Sequence, residues 1–393
     1  MNRKVLLIGA GRQGKAVIHD LERSSLVNEV VAADRKAAQR AQELRSHQLQ
    51  KTRLVEVEAS RLDDLSQLLQ EESPAVVICL LPPSLVHNVA QVAVSQQVHF
   101  VGVSYTKTIA TLHEEAQRQG VTLLPEMGMD PGIDLILGRL ALEELDTVWG
   151  LHSYAGGIPD ARAAQGNPLG YKITWTFQGV LESYTRPAKL LHEGEQLHLE
   201  GHHIFDPEHV HTLDIPAIGT LEAFPNGDAL RYAQLYGLDE GSKDVGRFAL
   251  RWPGHCSFWR TMGALGFLET TPVEINGAQI PPIDFLVKHL SPRLQFQKGE
   301  KDLAILRAHA WGFREGTPIK AAYNVVDTRD MKTGFFAMNR TVGFAASIGA
   351  QMILDGTIKD TGVLSPVRHV PPHLFLEALE KRGIHVERQI TEE

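Results

Sequence analysis

Three glycines near the start of the chain have the spacing of a dinucleotide-binding turn. Gly9, Gly11 and Gly14 lie in VLLIGAGRQG, directly after a short apolar run. In this G-x-G-x-x-G pattern the first glycine permits the tight turn, the second lets a pyrophosphate approach the backbone, and the third lets the next helix pack closely on the sheet. The phosphates would lie at a helix N-terminus, where free N–H groups and the helix dipole favour negative charge. The spacing predicts a nucleotide cofactor.

An acidic residue beyond the glycines bears on the choice of cofactor. Asp34 follows the apolar run EVVAA about 20 residues after Gly14, the separation at which an acid binds the ribose hydroxyls of a dinucleotide. A carboxylate there repels a 2′-phosphate, which favours NAD. Arg35 and Lys36 follow directly, and Arg12 lies in the glycine loop, so a phosphate could be tolerated if Asp34 turned away. We therefore predict NAD, with NADP as the alternative.

Further polar side chains follow strands that are predicted in the first third of the chain. In an open parallel sheet, ligands bind beyond the carboxyl ends of the strands. Ser104 and Tyr105 follow the fifth predicted strand, where they could contact a ligand or cap a helix. Asp130 follows the sixth, where it could act as an acid or base or form an ordinary Asp-Pro-Gly turn. The predicted cofactor contacts are Gly9, Gly11, Arg12, Gln13, Gly14, Asp34, Arg35, Leu81, Pro82, Met127 and Asp130.

Arg251 is the best candidate for substrate binding in the second half of the chain. It lies in RWPGHC, and a guanidinium binds a carboxylate in bidentate fashion. His255 in the same string is more typical of a surface or capping residue than of a catalyst. Asn167, Tyr171 and Lys172 lie in NPLGYK, where the pattern alone assigns them no role.

Four histidines raise the question of a metal site. His202, His203, His209 and His211 occur within LEGHHIFDPEHVHTL. No cysteine or HExxH pattern accompanies them, so a solvated loop is favoured over a zinc site and we predict no metal. A serine nucleophile would need a GxSxG turn, and the sequence has none.

The composition is that of an ordinary soluble globular protein. Of 393 residues, 43% are hydrophobic and 22% are charged, and the formal net charge is -8, which argues against nucleic acid as a partner. Two cysteines cannot form a disulfide framework, so a reducing cytoplasm is expected. The start, MNRKVLLIGAG, does not resemble a signal peptide, and no apolar run approaches membrane-spanning length.

The order of the predicted elements indicates the fold class. Six short β-rich runs alternate with helical segments in the first third, which is typical of a Rossmann-type, doubly wound parallel sheet. Beyond MGMDPG the strands come in groups, which favours a second, α+β domain for substrate binding and dimerisation. The apolar segment VGFAASIGAQMILDG predicts a helix that returns to the first domain. We predict a cofactor domain over 1–128, a substrate domain over 129–335 and a C-terminal segment over 336–393, with strands of the second domain at Val148–Tyr154, Tyr171–Phe177, Gln196–Leu199 and Ala304–Gly312.

Several strings along the chain resemble the saccharopine dehydrogenase family, in particular its glutamate-forming members. They are GAGRQG, EMGMDPGIDLILG, SYAGGIP, NPLGYKITWTFQGVL, AFPNGDALRYAQLYGL and FALRWPGHC, together with the SY after the fifth strand. The strings GMDPGID and NPLGYK are specific, whereas the glycine pattern is not.

The resemblance implies an enzyme that joins aminoadipate semialdehyde to glutamate through an imine, which a nicotinamide hydride reduces to saccharopine. Members of the family are often homodimers. The resemblance also implies that Ser104, Tyr105 and Asp130 lie where cofactor meets substrate, and that the second domain contributes Asn167, Tyr171 and Lys172. Asp130 would then act as acid/base or orient the imine, and Arg251 would bind a carboxylate.

The sequence departs from the family pattern at one position and also resembles related enzymes, which leaves alternative functions open. Ala155 replaces the cysteine that many saccharopine reductases carry in SYCGG. RWPGH and SYTRPA are similar to strings of lysine 6-dehydrogenases, so that enzyme, or another opine or carboxy-polyamine dehydrogenase of the family, is an alternative. A regulatory protein that binds the cofactor without catalysis is a third, which retention of Asp130, Lys172 and Arg251 disfavours.

Overall fold

The computed structural model describes residues 3–45, 49–238 and 241–392. The chain divides into two units, each made of two segments. Met1–Ile136 and Asn339–Ile384 form the first domain, whereas Leu137–Met338 and His385–Glu393 form the second. Both domains are therefore discontinuous in sequence.

The elements are numbered in chain order. The strands are β1 (Lys4–Ile8), β2 (Glu29–Ala33), β3 (Thr52–Val55), β4 (Val76–Cys79), β5 (His99–Gly102), β6 (Thr122–Leu124), β7 (Thr147–Pro159), β8 (Ala188–His192), β9 (Glu195–Leu199), β10 (His211–Ile215), β11 (Gly219–Pro225), β12 (Asp244–Arg251), β13 (Val273–Ile275), β14 (Ala278–Ile280), β15 (Asp302–Arg314), β16 (Thr317–Thr328), β17 (Gly362–Val363) and β18 (Val386–Glu392). The α-helices are α1 (Arg12–Arg23), α2 (Ala37–Glu43), α3 (Leu62–Glu72), α4 (Pro83–Ser95), α5 (His113–Arg118), α6 (Ile133–Leu142), α7 (Ala161–Ala164), α8 (Phe177–Tyr184), α9 (Ala229–Tyr236), α10 (His255–Ala264), α11 (Pro282–Leu290), α12 (Ala337–Leu354), α13 (Pro366–His369) and α14 (Pro372–Glu380). Short 3₁₀ turns cover Thr106–Thr108, Ala110–Leu112 and Gly201–Phe205.

A seven-stranded parallel sheet forms the first domain, in the order β17-β6-β5-β4-β1-β2-β3. The strand order reverses between β1 and β4, and this switch point is where such sheets bind nucleotides at the carboxyl ends of the strands. Every residue of β4 is buried, as a continuous apolar run in a strand covered on both faces predicts. The predicted doubly wound fold is confirmed.

The C-terminal segment packs on α1 within the first domain. A Cβ atom on Gly343 of α12 would lie 2.8 Å from the Cβ of Ala16, so the two helices approach closely. Asp20 of α1 accepts hydrogen bonds from Ser347 Oγ at 2.6 Å and from Arg382 Nε at 2.7 Å. The strand β17 then extends the sheet beside β6. The predicted helical return is therefore an integral part of this domain.

A nine-stranded mixed sheet forms the second domain. Its order is β10-β11-β12-β7-β15-β16-β18, with β8 paired to β12 and β9 paired to β8. β12 and β7 run parallel, and the other pairs are antiparallel. Tyr184 of α8 and Trp259 of α10 are buried in the apolar core of this domain. The predicted α+β class is confirmed.

The strand predicted at Tyr171–Phe177 is wrong. Residues 171–176 form no strand, and Phe177 begins α8. Residues 171–174 are buried, and Ile173 donates its N–H to Leu294 O in the loop after α11. The β-branched and aromatic side chains therefore reflect burial and not ladder pairing. Most strands of the mixed sheet, β8, β10, β11, β12, β16 and β18, were not predicted at all.

None of the described helices has both the length and the apolar character that a membrane crossing requires.

Candidate active site

The glycine loop after β1 has the geometry of a phosphate cradle. Gly9 has φ of +99°, a conformation that favours glycine. A Cβ on Gly14 would lie 2.2 Å from the carbonyl oxygen of Gly9, so only glycine allows α1 to start this close to the strand. A Cβ on Gly11 would meet nothing within 4 Å, and Gly11 is the residue before α1. The open space at a helix N-terminus fits a pyrophosphate.

Asp34 follows β2 and is tied to the glycine loop. Its Oδ2 accepts the N–H of Ala10 at 3.0 Å, and its Oδ1 accepts the N–H of Lys36 at 2.9 Å. Arg40 of α2 lies 3.5 Å from Oδ2. The carboxylate thus holds the loop in shape, and its remaining lone pairs are available to ribose hydroxyls.

The other residues predicted beside the cofactor lie around this loop. Arg12 and Arg35 are exposed, and Gln13 in the first turn of α1 is partly buried. Leu81 is partly buried and Pro82 is exposed, in the loop after β4. A Cβ on Gly9 would lie 3.0 Å from Leu80 O, so the structure brings the two loops of the switch point together.

The loops after β5 and β6 are tied to each other. Glu126 donates its N–H to Ser104 O at 3.1 Å, and its Oε1 accepts the N–H of Thr106 at 3.0 Å. Glu126 is fully buried and has φ of +61°, a conformation that is uncommon for a residue with a side chain. No role was predicted for this carboxylate, which fixes the segment that carries Ser104 and Tyr105. Both of those residues are partly buried.

Asp130 lies in a tightly folded loop after β6. Gly132 has φ of +147°, and a Cβ there would lie 2.2 Å from Gly128 O. Gly132 also donates its N–H to Asp134 Oδ1 at 2.7 Å. Within residues 121–138, Asp130 alone is not buried. The neighbouring Met127 is fully buried, and a Cβ on Gly349 of α12 would lie 3.0 Å from its Cε, which leaves the Met127 backbone for any cofactor contact. Asp130 thus follows β6, at the carboxyl end of the sheet, in a loop whose other residues are buried.

Arg251 ends β12 and is a buried cation. Its residue surface is 7% exposed. Nη1 donates to Leu250 O at 2.8 Å and Nε donates to Tyr184 OH at 3.3 Å. The guanidinium carbon lies 5.5 Å from the ring centre of Tyr171 and 5.8 Å from that of Phe224. Among the described residues, no carboxylate forms an ion pair with Arg251.

The NPLGYK segment reaches Arg251 through the ring of Tyr171. Asn167 holds the segment in a turn, since its side chain donates to Tyr171 O at 2.8 Å and accepts from Leu169 N at 3.0 Å. Lys172 is 3% exposed, and its Nζ lies 2.8 Å from Glu300 Oε2. Tyr171 is therefore the member of this trio that touches the cation, while Asn167 and Lys172 are bonded within the protein.

The histidines of the LEGHHIFDPEHVHTL segment do not converge. His203 lies 2.8 Å from Asp206, whereas His211 Nε2 lies 3.1 Å from Tyr154 OH. Within the described residues, no group of three or more His, Cys, Asp or Glu side chains has the arrangement of a metal site.

Family models match both halves of the chain. Residues 5–124 match the saccharopine dehydrogenase NADP binding domain, and residues 128–384 match the saccharopine dehydrogenase C-terminal domain. The chain belongs to the saccharopine dehydrogenase family. The predicted family is therefore confirmed, and the glycine cradle lies in the family's NADP-binding domain.

Individual relatives of the family extend over nearly the whole chain. The alpha-aminoadipic semialdehyde synthase of Bos taurus is 27% identical over 99% of this chain and 48% of its own length, and that of Arabidopsis thaliana is 27% identical over 83% of this chain and 38% of its own. The chain thus spans about half or less of these relatives. The saccharopine dehydrogenase [NADP(+), L-glutamate-forming] of Saccharomyces cerevisiae is 25% identical and is covered to 99% of both lengths. The solved apo structure of that yeast type has a TM-score of 0.84 at 23% identity, over 99% of this chain and 100% of that one, which supports the fold.

Two residues of the site were missed by sequence reasoning. Glu126 lies inside the string EMGMDPG, but its role depends on the loop after β5. Tyr184 lies in SYTRPA, where nothing indicates that its hydroxyl meets Arg251, 67 residues further along the chain. A buried tyrosine in an amphipathic helix is more often a core residue, so the sequence holds no signal for this contact.

Proposed function

We propose that this protein is an NAD(P)-dependent saccharopine dehydrogenase of the glutamate-forming type. In one direction the amine of glutamate adds to the aldehyde of aminoadipate semialdehyde, water leaves, and the imine is reduced to saccharopine. The reverse direction oxidises the secondary amine and hydrolyses the imine. The printed names of the yeast and other fungal relatives support this reaction.

The observation that carries the proposal is the unpaired cation at the end of β12. A buried charge is costly unless an opposite charge accompanies it, and no described carboxylate pairs with Arg251, which is 7% exposed. A substrate with several carboxylates supplies the missing negative charge. Its carboxylate would accept two parallel hydrogen bonds from the guanidinium, which also fixes its orientation.

We propose that the first domain holds NADP or NAD. The open space beside Gly11 and the helix N-terminus at Arg12 would receive the pyrophosphate. Asp34 would bind the ribose hydroxyls of NAD, and Arg12, Arg35 and Lys36 lie near enough in sequence to favour the phosphate of NADP. The names of the fungal relatives favour NADP. When bound, the reduced cofactor supplies the hydride that the imine carbon accepts.

Asp130 is the proposed acid/base or orienting residue. Asp130 is the one residue within 121–138 that is not buried, and a nearby negative charge would stabilise an iminium as it forms. Ser104 and Tyr105 are proposed to orient the reacting groups through their hydroxyls, on a segment that Glu126 fixes. In the second domain, Tyr171 would contact the substrate beside Arg251, and Asn167 and Lys172 would hold the segment that carries it.

A substrate screen tests the proposal. Purified protein is incubated with saccharopine and NADP or NAD, and reduced cofactor is followed at 340 nm while glutamate is assayed separately. We expect reduced cofactor and glutamate in equal amounts. A parallel reaction contains lysine in place of saccharopine and tests the lysine 6-dehydrogenase alternative. Turnover of lysine with release of ammonia identifies a lysine 6-dehydrogenase. Cofactor binding without turnover of either amine favours a regulatory protein, or another opine or carboxy-polyamine dehydrogenase if a further secondary amine is oxidised.

We also propose that the protein is a cytoplasmic homodimer that binds neither nucleic acid nor membranes. Cys79 and Cys256 are both free and buried, which suits a reducing compartment. Light scattering after size-exclusion chromatography should give twice the chain mass of 43.4 kDa.

A further inference from the structure

Three buried side chains form a hydrogen-bonded series that ends on the Arg251 guanidinium. Arg251 Nε lies 3.3 Å from Tyr184 OH, and the same hydroxyl lies 2.7 Å from His255 Nε2. The three residues come from β12, α8 and α10, and Tyr184 and His255 are 0% and 3% exposed. The contacts are therefore shielded from water and lie wholly within the second domain.

The chemistry of the three groups determines which one donates in each of the two hydrogen bonds. The Nε–H of arginine can only donate, so the hydroxyl oxygen of Tyr184 accepts. The buried hydroxyl proton of Tyr184 has no described acceptor other than His255 Nε2, which accepts it only when that nitrogen carries no proton. His255 is consequently neutral, with its proton on Nδ1.

The electrostatic surroundings agree with a neutral histidine. Burial, and after it the charge of Arg251, lower the pKa of His255 well below its usual range. Burial also raises the pKa of Tyr184, against the opposing effect of Arg251, so the phenol keeps its proton. A second cation beside Arg251 is thereby avoided.

We propose that Tyr184 and His255 are positioning residues that fix the Arg251 guanidinium for a substrate carboxylate. This role rests on the proposed function. Rings of Tyr171, Tyr184 and Phe224 lie 5.5 to 6.0 Å from the guanidinium carbon, and they attract the cation without fixing its rotation. Hydrogen bonds from Nε to Tyr184 and from Nη1 to Leu250 O do fix it. The remaining N–H groups are then aimed before substrate arrives, which reduces the entropy cost of binding.

Two variants separate positioning from simple packing. Tyr184→Phe removes only the hydroxyl, and we expect an increase of about tenfold in the KM for saccharopine, with kcat and the KM for the cofactor unchanged. His255→Gln keeps an acceptor near the Nε2 position and should stay within about threefold of the wild-type KM. His255→Leu has a similar size but no acceptor, so it should behave like Tyr184→Phe.

Tyr154→Phe is the matched control. Its hydroxyl lies 3.2 Å from His152 Nδ1 and 3.1 Å from His211 Nε2, so it is another buried tyrosine–histidine contact in the same domain. We expect its KM to be unchanged. The positioning role is overturned if Tyr184→Phe and His255→Leu keep the wild-type KM, or if Gln and Leu at 255 raise it equally. If the wild-type protein does not oxidise saccharopine, the proposed function and this role are both overturned. If the wild type is active and only the variants fail to show the expected KM changes, the positioning role alone is overturned.

Discussion

The two domains present their proposed ligand-binding groups in different ways. The first domain does so with its backbone, through three glycines within six residues and a helix N-terminus. The second does so with a side chain, Arg251, that two distant elements hold in place. A backbone site needs space and tolerates little added volume. A side-chain site needs neighbouring residues that hold the side chain in place by hydrogen bonds. Substitution of those residues can therefore weaken ligand binding even though they never touch the ligand.

The largest expected effect is at the side-chain site. Arg251→Gln removes the cation, and we expect the KM for saccharopine to rise on the order of 1,000-fold, because two charge-assisted hydrogen bonds of about 1.5–3 kcal/mol each are lost. Steady-state kinetics with saturating cofactor measure this. If the KM for the cofactor rises by the same factor, the variant has damaged more than carboxylate binding and the contrast between the domains fails.

A partly buried ion pair tests how far the second domain depends on charge pairing, since the Lys172 side chain is 3% exposed and that of Glu300 is 20% exposed. Lys172→Ala leaves the partly exposed Glu300 without its cation, and we expect the free energy of unfolding to fall by about 2 kcal/mol, between the values for exposed and buried pairs. The double variant Lys172→Met/Glu300→Leu removes both charges and should recover most of that loss in a urea titration. Its KM for saccharopine should stay within about threefold of wild type, and a larger increase would show that Lys172 contacts the substrate directly.

Two glycines of the first domain should respond in opposite ways. Gly14→Ala places a methyl group against Gly9 O, and we expect a loss of about 2 kcal/mol in stability. Gly11→Ala meets no protein atom within 4 Å, so thermal denaturation should be unchanged. Its methyl group would occupy the phosphate space, and fluorescence titration should show a more than tenfold weaker affinity for the cofactor. Equal affinity in Gly11→Ala and wild type would contradict the cradle.

The smallest expected effect concerns pH. Burial, followed by the charges of Arg307, His152 and Lys320, lowers the pKa of His309 to about 4. The unfolded chain binds a proton near pH 6.5, and the folded chain does not until about pH 4. The stability that this histidine contributes is therefore full above pH 6.5 and is lost as the pH falls toward 4.

The variant His309→Gln tests whether His309 makes the protein less stable as the pH falls. It removes the titration, and urea titrations at pH 7 and pH 5.5 should show about 1 kcal/mol less acid destabilisation than in the wild type. An identical loss in both proteins would assign the effect to other groups of the second domain.

The contrast between the domains also explains what the sequence could predict. The glycine pattern, Asp34 and the apolar strand at Val76–Cys79 are local signals, so the doubly wound fold followed from them. The strand β12 was missed because it buries Arg247 and Arg251 among apolar residues, which an apolar pattern does not anticipate.

The contacts of the second site are non-local and have no local signal. Tyr184 and His255 are 71 residues apart, and nothing near either one in the sequence indicates their hydrogen bond. Arg251 was chosen on its chemistry alone, and the absence of a described acidic partner became visible only in the structure.

The division of each domain into two segments constrains the order in which the molecule can form. During synthesis the first domain lacks most of α12, and α13, α14 and β17, until residues 339–384 have left the ribosome, after the whole of residues 137–338. Until then the face of α1 around Ala16 is uncovered, and the sheet ends at β6. Contacts across so long an interval form more slowly than local contacts, because the loop must close before the contacts stabilise it. The first domain therefore becomes complete only after residues 137–338, which belong to the other domain, have been made.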